Sequence, residues 1–91
     1  MARRITVKRD STKRLFEYAV DAKSRAARYR KSAQEWGDFA LSSVCRGELW
    51  IANIEARKAG DFYGAALAAD GFAAEWERRF WESAYAEQGD N

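Results

Sequence analysis

The side chains that most often do chemistry are scarce in this sequence. Cys45 is the single cysteine and histidine is absent, so the usual base for a thiolate nucleophile and the commonest metal ligand are both missing. No carboxylates stand at metal-ligand spacing. The glycines fall singly at 37, 47, 60, 64, 71 and 89, with no loop among them that could cradle phosphate. The expectation is a non-enzyme with no catalytic residue, no metal and no cofactor. A lone thiol forms no intramolecular disulfide, so nothing in the chain asks for an oxidising compartment, and the cytoplasm is the expected location.

The same side chains are better suited to binding. Tyr63, Leu67, Ala74, Trp81 and Tyr85 fall along one helical stripe, and Tyr and Trp bury much area while freezing few torsions, as interface anchors do. Charge supplies a second surface. The first 31 residues hold eleven Lys or Arg against three acids, and the remaining sixty hold five against eleven, giving +8 and then −6. Such a split implies an anionic partner for the first half, or halves that neutralise each other within the fold or in a homodimer. Arg25, Arg28 and Lys31 would face an acidic protein partner, together with Tyr63, Trp81 and Tyr85. Arg3, Arg4, Lys8, Arg9, Lys13 and Arg14 form the cluster that would meet a nucleic-acid backbone in the alternative reading.

These residues need elements to hold them. With no proline, abundant alanine and 47% hydrophobic residues, the sequence reads as one all-α domain. Residues 1–10 read as a short basic extended arm, followed by helices over 11–36, 38–59 and 61–86 and a polar tail over 87–91. The stops are placed at Gly37 and Gly60, each followed by an aspartate that can cap the next helix. Leu15, Ala19, Ala22, Ala26, Tyr29, Ala33 and Trp36 step by 4 and 3, and so do Phe62, Ala66, Ala69, Ala73, Trp76 and Phe80. The middle helix carries two apolar sides, which predicts a sandwiched position with Cys45, Trp50 and Ile51 inside and Gly47 at a close backbone approach. The expected architecture is an elongated antiparallel three-helix bundle.

Gly60, Asp61 and Phe62, followed by Ala65, resemble the centre of a tetratricopeptide repeat, where a Gly-Asp-aromatic turn joins two helices. A second copy 34 residues earlier would place its turn at Ala26, inside a helical run, so the feature reads as a simple helical hairpin and brings no function with it. In size and style the chain is similar to the small proteins with which phages block host defence or nucleic-acid machinery. No run approaches the roughly 18 apolar residues of a membrane span, and the basic N-terminus lacks the apolar core of a signal peptide, so no membrane partner is expected. The leading expectation is a protein-interaction module of regulator or inhibitor type, docking on a larger assembly. Non-specific nucleic-acid binding by the basic half is the alternative.

Overall fold

From Thr12 to Ser43 every third or fourth residue lies on one face: 12, 15, 19, 22, 26, 29, 33, 36, 40 and 43 alternate steps of 3 and 4 without a break. The same rhythm runs through 52, 55, 59, 62, 66, 69, 73, 76, 80, 83 and 87. An unbroken 3,4 alternation is the heptad rule for two helices packed along their length. The computed structural model describes residues 10–89, and these form two long helices, α1 (Asp10–Cys45) and α2 (Leu49–Gly89), packed antiparallel as a hairpin. The rod measures 67 × 24 × 15 Å, and its 19.7 Å radius of gyration exceeds the ~12 Å of a compact chain of this length.

The three-helix bundle is therefore corrected to a two-helix hairpin. Gly37 and Asp38 lie inside α1, and Gly60 and Asp61 inside α2. A helical glycine costs only about 1 kcal/mol against alanine, and each pair is flanked by seam residues, Trp36 with Ala40 and Ala59 with Phe62, whose packing carries the helix through. Asp10 opens α1 instead of ending an arm, while residues 1–9 of the expected arm lie outside the described residues. Of the expected tail, Glu87 to Gly89 belong to α2, and Asp90 and Asn91 lie outside the described residues.

The chain reverses at Arg46, Gly47 and Glu48. Gly47 has φ +76°, a left-handed conformation that side chains with a Cβ resist, and space for a Cβ is open around it. Gly47 is thus a turn residue and not a point of close backbone approach. The Glu48 N–H donates to the Ser43 carbonyl at 2.9 Å and the Gly47 N–H to the Val44 carbonyl at 3.0 Å, which closes α1 with a Schellman motif. The Glu48 carbonyl then accepts from the Ala52 N–H at 3.0 Å and starts α2.

Packing follows from the small seam. Among the described residues the buried apolar side chains are nine alanines and Phe80. Leu15, Tyr29, Trp36, Phe62 and Trp76 are half-buried along the same seam. Hydroxyls close each end of it. Thr12, fully buried, donates to Glu87 Oε1 at 2.8 Å and pairs with the Ser83 hydroxyl. Ser43, also fully buried, donates to the Glu55 carboxylate and accepts from Arg46 at 3.2 Å. Short polar side chains keep the close approach that alanine sets, and their directional bonds fix the register of one helix on the other. Trp50 is 77% exposed, and Ile51 and Cys45 are exposed as well, so the residues expected at the centre of a bundle stand on the surface beside the turn. No helix among the described residues is long and apolar enough to cross a membrane.

Candidate interaction surface

In an antiparallel helix pair the positions beside the seam meet in like pairs, giving the hairpin two flanks. Residues four after Ala19, Ala26, Ala66 and Ala73 define one flank: Lys23 Nζ lies 3.2 Å from Glu77 Oε2, and Arg30 is ion-paired with Asp70. The opposite flank carries the Tyr18–Trp76 ring pair, with centroids 5.1 Å apart, and Lys58 Nζ 4.4 Å above the Trp36 ring.

The first flank is a trough. Near the turn its walls are Leu41, Val44 and Leu49, its floor is Ala40, Ala52, Ala56 and Ala59, and it encloses about 720 Å³. It continues through Gln34 and Ala59 into a second depression of about 510 Å³ bounded by Arg30, Gly60 and Tyr63. Leu67 follows Tyr63 one turn on, exposed on the same flank. Beyond the Arg30–Asp70 and Lys23–Glu77 pairs, Phe16, Val20 and Trp81 surround a smaller cavity of about 80 Å³ over Ala19 and Phe80. The floor is low because the seam is alanine, and the walls are high because the next position outward holds larger side chains. Grooves between helix ridges accept a further helix in this manner.

Among the expected site residues, Tyr63 and Trp81 lie on this flank, 55% and 41% exposed. Trp81 packs edge-on to Phe80 at 5.1 Å, and its other neighbour Tyr85, 5.9 Å away, turns onto the outer back of α2. Arg25, Arg28 and Lys31 are exposed on the opposite side and outer edge of α1, away from Tyr63 and Trp81, and Arg25 is paired with Asp21 at 3.3 Å. The structure does not bring the two groups into one patch. Lys13 and Arg14 are exposed in the first turns of α1, whereas Arg3, Arg4, Lys8 and Arg9 lie outside the described residues. Of the trough residues, wheel position did not single out Phe16 and Val20, and it placed Leu41, Val44 and Leu49 on the apolar sides of a buried middle helix. An unbroken heptad count admitting Ser43 and Glu55 as seam residues points to them.

No family model, no curated protein and no solved structure matches the chain. Its surface chemistry is the basis for a functional reading. On the outer side of α2, Glu75 accepts from Arg78 at 2.6 Å and from Arg79 at 2.9 Å, and Arg78 also donates to Glu82 at 2.6 Å. The hydrogen bonds donated by Arg78 and then Arg79 hold the Glu75 carboxyl below its ordinary range, and those that Arg78 donates to Glu75 and Glu82 raise its own guanidinium. This cluster is open to solvent and reads as a helix-stabilising charge ladder. Among the described residues no group of three or more His, Cys, Asp or Glu could hold a metal ion.

Proposed function

We infer that the protein is a non-enzymatic interaction module whose apolar trough takes up a helix of another polypeptide, with a regulatory or inhibitory role through docking on a larger assembly. The observation that carries this reading is the imbalance of apolar surface. Fifteen large hydrophobic residues among those described are exposed, from 39% at Ile54 to 77% at Trp50, while Phe80 is the sole large one buried. Eight of them, Leu41, Val44, Leu49 and Trp81 included, lie along the trough flank, and clustered apolar surface left uncovered marks association. Affinity capture from native extract with matched variants tests the reading. Leu41→Asp, in the trough wall, abolishes capture of the partner, and Phe72→Asp, on the other flank, leaves it intact. Equal capture by both variants contradicts the trough as the docking site.

Non-specific nucleic-acid binding is the second reading, and it is favoured by Lys13, Arg14, Arg28 and Lys31, exposed basic residues with no ion pair to an acid among the described residues. Lys23, Arg25 and Arg30 are already paired with acids, which reduces what this face offers phosphate. Binding of this kind weakens steeply with salt. A gel shift at low salt that is lost with Arg28→Glu and Lys31→Glu supports it, and no shift at low salt removes it.

A further inference from the structure

We propose that the trough is filled by a second copy of this chain, forming a four-helix bundle whose two-fold axis runs along the rod, so that both turns lie at the same end. The proposal rests on the trough being a docking surface, and adds the occupant and its orientation.

Uncovered apolar surface is the first argument. The large side chains of the trough flank, Phe16 and Val20 at the open end and Leu41, Val44 and Leu49 at the turn, are 47% to 66% exposed, and association with a second copy covers them in both chains at once.

Self-complementarity is the second. Along the trough flank the order is apolar, charged, apolar: Leu41, Val44 and Leu49 at the turn end, the Arg30–Asp70 and Lys23–Glu77 pairs at the waist, Phe16, Val20 and Trp81 at the open end. A two-fold axis along the rod lays each layer on its own copy, apolar on apolar and charged on charged. A two-fold axis across the rod also matches the apolar ends, so the charges at the waist decide between the two.

Sign of charge is the third argument. At the waist of this flank the charged residues of α1 are Lys23 and Arg30 and those of α2 are Asp70 and Glu77, while Lys13 and Asp38 of α1 lie toward the open end and the turn end. With the axis along the rod, α1 of one copy lies over α2 of the other, and Lys23 and Arg30 face the partner's carboxylates. With the axis across the rod, α1 lies over α1 and α2 over α2, placing like charges opposite each other in a partly desolvated layer. Both arrangements make all neighbouring helices antiparallel, as in an up-down-up-down bundle, so the waist charges decide between them.

Cys45 supplies the test. It is the chain's single thiol, exposed beside the turn, and it takes a nitroxide label without any substitution. The expected result in sedimentation of the full chain is a dimer. Dipolar spectroscopy on the labelled protein gives a separation under half the 67 Å length of the rod. The crossed arrangement places the labels at opposite ends, about 50 Å or more apart. That longer distance, or a monomer at all accessible concentrations, overturns the proposal. Leu67→Glu raises the dimer dissociation constant at least ~30-fold with helix content kept, while Phe72→Glu on the other flank leaves it unchanged. A monomeric protein that still captures a partner in a Leu41-dependent way defeats the dimer and spares the docking reading, whereas loss of both defeats both.

Discussion

Thr12 and Ser43 show how single side chains set the geometry of this hairpin. Each sits at a seam position of a kind mostly filled by alanine here, and each reaches across to a carboxylate of α2, Glu87 and Glu55. Thr12→Val keeps the volume and removes the hydroxyl, which costs about 1 kcal/mol of stability by urea unfolding, with the seam otherwise intact. The exposed ladder around Glu75 makes a different prediction. Because Arg78 and Arg79 lower the folded-state value of Glu75, the support it gives α2 is present above the ordinary carboxylate range and is lost as pH falls through that lowered value. Arg78→Ala moves the Glu75 titration, followed by carboxyl NMR, upward toward the ordinary range. An unmoved titration shows that Arg78 is not the dominant cause. These residue-scale features were the least legible in the sequence, since a buried Ser or Thr and an exposed one look alike until the partner helix is placed.

Within each helix the alanine-rich spacing was plain from the sequence, and the segments 15–36 and 62–80 lie along the seam as their periodicity requires. The boundaries were not plain. Gly37–Asp38 and Gly60–Asp61 carry a stop-and-cap signature, yet the residues around them keep the heptad, and side-chain packing outweighs about 1 kcal/mol of glycine propensity. The true turn, Arg46-Gly47-Glu48, lacks an Asp, Ser, Thr or Asn cap. Its distinguishing property is the conformation of Gly47, which a sequence does not display. The two kinds of glycine respond in opposite directions to substitution. Gly47→Ala lowers stability by about 1–2 kcal/mol, because φ +76° is strained for any residue with a Cβ. Gly64→Ala and Gly71→Ala, helical and with open space at the Cβ position, each raise it by about 0.5–1 kcal/mol. Thermal melts of the three variants check both signs.

At the scale of the molecule, moving the two expected stops at Gly37 and Gly60 to one reversal at Gly47 changes the meaning of half the surface. With three helices, Leu41, Leu49, Trp50 and Ile51 belong to a core. With two, they stand exposed beside a trough, and the chain has more apolar surface than it covers by itself. The aromatic stripe of Tyr63, Leu67 and Trp81 was legible because it lies clear of the seam in either arrangement. The trough walls near the turn were not, because they depend on where the chain reverses. The alanine seam sets the depth of that trough. Ala66→Leu forces the helices apart, costs about 1–3 kcal/mol by overpacking and weakens trough-dependent association in the same sample.

Backbone amide hydrogen exchange tests the two-helix account most directly, since the trough exists only if α1 and α2 are continuous. The amides of Gly37, Asp38 and Phe39 and of Gly60, Asp61 and Phe62 exchange slowly, as helix-interior groups bonded four residues back. Those of Leu49, Trp50 and Ile51 exchange fast, because the first turn of α2 has no intrahelical acceptors for them. Fast exchange at 37–39 and 60–62, with protection across 49–51, would restore three helices and contradict the hairpin, its trough and the docking role built on them.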